Sequence, residues 1–218
     1  MKTTIIMIAF VSLMAIKSSA QNTEAVSSTK SDNRENLYFG IKAGANYSNV
    51  YDSQGENFVA DAKYGFAGGA FVSIPIGKFF GIQPEVLYSQ RGYKSSGTFF
   101  STPYNLTRTT DFIDVPLLVA IKPIEFVSIL FGPQFSFLVR QKDEFTGGGL
   151  TSTQEQTYTN DNLRKNLFCL TGGADINLES FVIGLRAGWD TTVNNGDGTS
   201  TTPRYKNVWY QATVGFRF

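Results

Sequence analysis

Histidine is missing from the 218 residues, and cysteine occurs once, at Cys169. Without histidine no Ser–His–Asp or His–Asp arrangement can form, which excludes triad catalysis. A Cys/His zinc cluster is excluded for the same reason. A single cysteine builds no internal disulfide framework, so Cys169 reads as a small interior residue rather than a reactive thiol. Charge is scarce, at 17% Asp, Glu, Lys and Arg against about 25% in globular chains. Lys and Arg total 19 and Asp and Glu 18, a formal net charge of +1, which gives no basic field for nucleic acid. Beyond the N-terminal region no apolar run reaches the 18 or so residues of a membrane-spanning helix. Asp-rich calcium loops are also missing: Asn194–Gly198 (NNGDG) is turn chemistry. Gly147–Gly149 lacks the lysine and helix start of a phosphate loop. No cofactor, no metal and no enzymatic activity are expected.

Aromatics (14%) and glycine (21 residues) are plentiful, a combination that suits strands facing lipid. The N-terminus carries the marks of a secretory signal: Lys2, an apolar core from Ile5 to Ile16, and small residues at Ser18 and Ala20. Residues 1–20 are expected to be a signal peptide cleaved after Ala20, and residues 21–36, polar and without periodicity, a flexible periplasmic leader.

From residue 37 to 218 the hydrophobic period is two, in segments of about ten residues, the length of a tilted transmembrane strand. Eight strands are expected, at about Tyr38–Ser48, Tyr64–Ile74, Phe80–Gly92, Thr110–Ile121, Glu125–Arg140, Asn166–Leu178, Phe181–Asp190 and Asn207–Phe218. The turns near Pro75–Lys78, Lys122–Ile124 and Glu179–Ser180 are tight, whereas Asn49–Lys63, Tyr93–Thr109, Gln141–Lys165 and Thr191–Lys206 read as long polar loops. Short turns on one side and long loops on the other is the organisation of an outer-membrane barrel. The fold class expected is therefore all-β, an eight-stranded antiparallel transmembrane barrel of up-and-down order, with both termini in the periplasm and the long loops outside. A water-soluble barrel or sandwich also alternates. Its outer face would be polar, whereas here the apolar row carries aromatics near strand ends, among them Tyr38, Phe80, Tyr88, Trp189, Tyr210 and Phe218, as interfacial girdles do. Pro84, Pro116 and Pro133 interrupt the strands, and local bulges are expected there.

The polar face carries Lys42, Glu85, Arg91, Asp114, Arg140, Asp175, Arg186 and Arg217. An eight-stranded barrel has room inside for side chains and little else, and buried charges must pair. Since strand n lies across from strand n+4, Glu85 is expected opposite Arg186, and Asp114 opposite the last strand with Arg217. Together these residues form an expected interior charge network that plugs the barrel; a charged ion path is the alternative. Glu85 and Asp114 fall on adjacent strands, the one carboxylate pair whose approach could serve acid–base chemistry. Val214, Phe216 and Phe218 continue the lipid-facing row of the last strand, the pattern of a barrel-assembly signal.

Four segments carry a resemblance: Phe39–Val50 (FGIKAGANYSNV), Phe80–Gly92 (FGIQPEVLYSQRG), Phe112–Lys122 (FIDVPLLVAIK) and Ile129–Val139 (ILFGPQFSFLV). In that order they resemble the PorT-like outer-membrane β-barrel family of Bacteroidota, over nearly all of the chain after the leader. The resemblance implies an eight-stranded outer-membrane barrel of a Gram-negative bacterium and supplies no catalytic motif. Expected partners are outer-membrane lipid, the barrel-assembly machinery and other envelope or secretion proteins. The expected role is a non-enzymatic structural or interaction surface. An accessory to type IX protein secretion and a small passive channel are the alternatives.

Overall fold

A computed structural model describes residues 32–52, 60–99, 102–147, 150–157, 166–192 and 205–218. The expected signal peptide, most of the expected leader and Asn194–Gly198 lie outside the described residues. Among the described residues nine antiparallel strands follow one another: β1 (Tyr38–Asp52), β2 (Asp61–Pro75), β3 (Phe80–Phe99), β4 (Thr102–Ile124), β5 (Val127–Gly147), β6 (Leu150–Thr157), β7 (Asn166–Leu178), β8 (Phe181–Asp190) and β9 (Tyr205–Arg217). Eight of them close a ring in the order β1-β2-β3-β4-β5-β7-β8-β9, with β9 paired back onto β1 from Gly40↔Arg217 to Asp52↔Tyr205. Main-chain bonds between Phe39 and Phe218 (3.0 and 2.9 Å) finish that seam.

Strand alternation sorts the residues onto two faces, because successive side chains of an extended chain point opposite ways. The outer face is apolar: Ile41, Phe66, Val86, Leu117, Phe131, Phe135, Ile183, Leu185, Tyr210 and Val214 are all exposed. The inner face holds the buried polar groups together with a set of large apolar side chains. An apolar outside around a polar inside inverts a soluble protein, and lipid is the solvent that favours it.

The sequence-based boundaries differ from the structure in three places. First, the segments read as loops at Tyr93–Thr109 and Gln141–Lys165 are largely strand. The β3–β4 ladder runs in unbroken register from Leu87↔Asp114 to Phe99↔Thr102. An additional strand, β6, pairs with the end of β5 from Arg140↔Thr157 to Gly147↔Leu150. Threonines at 107, 109, 110, 146, 151 and 153 are β-branched and favour extended backbone, so polarity here marks solvent rather than a turn.

Second, no bulge forms at the prolines. Register is unchanged across Pro84, Pro116 and Pro133, although each proline is missing its pair in one of its two ladders. A proline lacks a single N–H, and the two neighbouring strands of a closed barrel hold its own strand in place. The register shifts fall elsewhere, between Ala62 and Ala67, Asp111 and Phe112, and Ile121 and Ile124.

Third, Arg140 is not inside the barrel. Asp111 pairs with Arg140 but Phe112 pairs with Leu138, so Val139 is the extra residue of a β-bulge. The bulge reverses the alternation. Val139 and the Arg140 side chain, 43% exposed, both lie on the outer side.

Residues 32–36, the end of the segment expected to be a flexible leader, are held against the barrel. Asn33–Glu35 form a 3-10 turn whose N-cap is Asp32. The Arg34 guanidinium bonds Asp32 (2.6 and 2.9 Å), donates to the Pro123 carbonyl (3.2 Å) and lies over the Phe79 ring. Lys78 reaches Asp32 at 3.1 Å, and Lys122 donates to the Arg34 carbonyl at 3.1 Å. This clasp ties the turn to the β2–β3 and β4–β5 connections. The bonds from Arg34, foremost, and from Lys78 hold the Asp32 carboxyl well below the usual carboxylate range. The clasp is thus at full strength above the unfolded value of 3.8 and weakens only as the pH falls below it, through the depressed native value. In Asp32→Ala, proteolysis at residues 33–37 is expected to accelerate severalfold at neutral pH while the heat-modifiable gel migration of the folded barrel stays unchanged. Equal cleavage rates in both proteins would refute the clasp.

Candidate functional site

Among the described residues, most buried charged side chains lie in the barrel interior, which is built in layers from the short-turn end upward. At the bottom, Arg217 on β9 donates from Nε to the Glu179 carbonyl (2.6 Å) and its guanidinium lies over the Tyr38 ring (4.2 Å). Glu179 sits in the β7–β8 turn with φ of 51°, a left-handed conformation that costs a non-glycine residue about 1–2 kcal/mol. Its carbonyl becomes the partner of the last arginine of the chain.

The next layer is the densest. Lys42 on β1 bonds Glu85 on β3 at 2.5 Å. Glu85 also accepts from Gln83 (2.9 Å) and faces Arg186 of β8 at 3.7 Å. Arg186 binds Asp175 of β7 at 2.7 and 2.9 Å, and Gln83 bridges to Asp175 at 3.2 Å. Two cations and two carboxylates from four strands thus form one neutral cluster, all of it under 8% exposed. Phe71 lies beside it, its ring 5.8 Å from the Lys42 ammonium. That ring rests on Gly40, directly opposite on β1, where an added Cβ would come within 2.4 Å of it.

Above this, Asn46 takes a bond from Gln211 (3.0 Å) and gives one to Ser89 (2.9 Å). Higher still, Arg91 pairs with Asp114. Its guanidinium is stacked 3.6 Å from the Trp209 ring and 4.8 Å from Phe112. Trp209 repeats the aromatic-on-glycine device, its ring covering Gly188 directly opposite on β8. Trp209, Phe112, Leu167 and Cys169 form an apolar plug within the lumen. Beside it Asp190 accepts from Asn207 (2.5 Å) and from the Cys169 thiol (3.1 Å).

At the long-hairpin end, Arg108 on β4 grips Asp143 on β5 with two bonds of 2.7 Å. It also reaches across the mouth to the Tyr205 hydroxyl on β9 at 3.0 Å. Tyr205 packs edge-on against Tyr93 of β3, centroids 5.7 Å apart. The bulge at Val139 makes this possible, because it turns Asp143 inward, directly opposite Arg108.

The structure therefore gathers Lys42, Glu85, Asp175 and Arg186 into one cluster and places Arg91 with Asp114 in a second. Arg217 stands apart. Asp114 does not meet it, because Arg217 ends its strand at the short-turn end while Asp114 lies higher, in register with Leu87. Arg140 belongs to the outer wall, where Asp111 accepts from Arg140 (2.8 Å) and from Gln90 (3.0 Å) in a row across three strands. Glu85 and Asp114 sit in separate clusters, each tied to its own cation, so they do not form a carboxylate pair for acid–base chemistry. Val214, Phe216 and Phe218 face outward, with Phe216 edge-on to Phe181 at 5.6 Å.

Sequence reasoning missed the inward apolar set of Phe71, Leu87, Phe112, Leu118, Leu130 and Leu167, all buried. It also missed Arg108 and Asp143. Phe71 and Phe112 each stand an even number of residues from an interior position on their own strand, a signal that parity alone carries. Among the described residues no group of three or more His, Cys, Asp or Glu could hold a metal ion.

Three solved outer-membrane proteins are similar to the chain at low identity. The attachment invasion locus protein Ail of Yersinia pestis is 15% identical, with 83% of this chain and 98% of that chain covered at a TM-score of 0.46. Neisserial surface protein A is 15% identical, covering 83% and 97% at 0.48. OprG of Pseudomonas aeruginosa is 12% identical, covering 83% and 95% at 0.41. No curated protein sequence matches the chain. A family model described as an outer membrane protein beta-barrel domain matches residues 20–189, and this closed, lipid-facing barrel belongs to that family.

Proposed function

We propose that this outer-membrane barrel is a non-conducting, non-enzymatic platform that presents its long hairpins to the outside of the cell. The observation that carries this reading is the filled lumen. From Arg217 to the Arg108–Asp143 pair, each level is closed by bonded or stacked side chains. In this reading the short turns and the Asn33–Glu35 turn face the periplasm. The hairpins β3–β4 and β5–β6 then rise above the outer leaflet. From Tyr88, at the upper edge of the apolar band, to Phe99 the strand path is about 35 Å at ~3.3 Å per residue, more than a disc of headgroups requires. Outer-membrane lipid surrounds the outward row, and Val214, Phe216 and Phe218 supply the face that barrel-assembly machinery would engage during insertion.

Planar-bilayer recording tests the plug. Purified barrel is expected to give no stable single-channel steps, and stepwise currents from unmodified protein would favour the passive channel instead. The PorT-like segments favour a more specific version, in which the platform serves protein secretion through contacts with other envelope proteins. Deleting the gene and assaying type IX cargo in the medium tests it: lost export supports the secretion role and normal export removes it.

A further inference from the structure

We propose that the concavity above the barrel mouth is a binding site for neutral pyranose sugars; this rests on the reading that the long hairpins face outside. The cup lies on the inner face of β4, β5 and β6. Its wall is one cross-strand row, Leu106 opposite Phe145 and Phe145 opposite Ser152. Leu106, Asp143, Phe145 and Ser152 line a space of about 340 Å³, at the small end of the roughly 300–1,000 Å³ of ligand pockets.

Phe145 is unusual among the exposed aromatics. It is 44% exposed, yet it faces the barrel axis and not lipid, because it shares a face with Asp143 two residues earlier. Its ring stacks on Tyr104, centroids 5.4 Å apart and planes 23° from parallel. Tyr104 in turn lies flat over Gly97, where a Cβ would approach its hydroxyl oxygen to 2.6 Å. The glycine lets the ring lie down, so the platform is set before any ligand arrives and little rotamer freedom remains to be lost.

The floor is polar but neutral. Both Asp143 oxygens are held by Arg108 at 2.7 Å, so the pair offers no net charge to an ion. Oδ2 also accepts from Gln141 at 3.3 Å, but Oδ1 still has a lone pair to accept a hydroxyl proton, and the Asp143 side chain remains 24% exposed. The Ser152 hydroxyl flanks Phe145 from the neighbouring strand β6. An apolar aromatic wall beside hydrogen-bonding groups matches a pyranose ring, whose C–H face is apolar and whose edge carries hydroxyls. A free anion would find the guanidinium already engaged, and a purely apolar ligand would shield the exposed edge of Asp143 from water with no hydrogen bond in return.

The test uses the full barrel in nanodiscs, with maltohexaose, cellohexaose and N-acetylglucosamine oligomers as probes and saturation-transfer NMR as the readout. At least one oligomer is expected to bind, with ring C–H protons receiving the strongest transfer. Phe145→Ala and Leu106→Ala should each weaken binding about tenfold or more, and Tyr210→Ala on the outer wall should not. Binding by none of the probes, or binding indifferent to Phe145→Ala in a protein with normal heat-modifiable migration, overturns the proposal. Orientation is read separately from Ser152→Cys in whole cells. If a membrane-impermeant maleimide fails to label it, the outward reading falls even where the purified barrel binds sugar.

Discussion

Replacing Glu85 with alanine is expected to destabilise the barrel by about 3–5 kcal/mol, the cost of leaving a buried charge without its partner. Glu85 is 3% exposed and holds Lys42 at 2.5 Å and Gln83 at 2.9 Å, with Arg186 at 3.7 Å. In the variant Arg186 keeps Asp175, but the buried Lys42 ammonium keeps only the flank of the Phe71 ring. The cluster changes from neutral to one net positive charge among buried side chains. The reciprocal case separates pairing from polarity. Lys42→Met combined with Glu85→Met removes both charges and fills similar volume, and it should cost far less than Glu85→Ala alone, because an intact buried pair contributes little beyond an apolar pair of like shape. Urea unfolding in lipid vesicles, followed by tryptophan fluorescence and by gel migration, gives both numbers. A loss below about 1 kcal/mol in Glu85→Ala would show that water reaches Lys42, and the same variant should then conduct in a planar bilayer.

The sequence made the ring legible because a barrel is written in the simplest of codes, a period of two. Ile113, Val115, Leu117 and Val119 show it without ambiguity, and their neighbours Asp114 and Leu118 are buried inside. What parity does not carry is a change of phase. Arg140 looked interior by counting from Ser128 and Ser136, and one extra residue at Val139 moved it to the outer wall. Polar composition misled in a similar way. The threonine-rich stretches beyond Tyr93 and Gln141 resemble loops by hydropathy, yet they continue as paired strands once solvent, not lipid, surrounds them. Arg108 and Asp143 were invisible for that reason. The lower charge cluster was partly legible: the strand count set Glu85 toward Arg186, but the closer partners, Lys42 for Glu85 and Asp175 for Arg186, depend on side-chain reach between nearer strands.

Trp209→Ala is the second substitution expected to cost about 3–5 kcal/mol, the range for removing a large buried aromatic. Trp209 is 2% exposed and makes three kinds of contact at once. It packs with Phe112, Leu167 and Cys169, stacks on the Arg91 guanidinium at 3.6 Å, and covers Gly188. Its loss opens a cavity and leaves the arginine with a single ring above it, so the upper plug should leak as well as weaken. Gly188→Val attacks the same contact from the other side. A Cβ there would stand 2.3 Å from the indole, and an overpacked site of this kind costs about 1–3 kcal/mol. The two changes are coupled in a way that simple additivity does not predict. In the double variant the valine occupies space vacated by the indole, so the combined loss should be smaller than the sum of the single losses by about 1 kcal/mol or more. Strict additivity would mean that the ring does not rest on Gly188, and the glycine would then have to be explained by strand curvature alone.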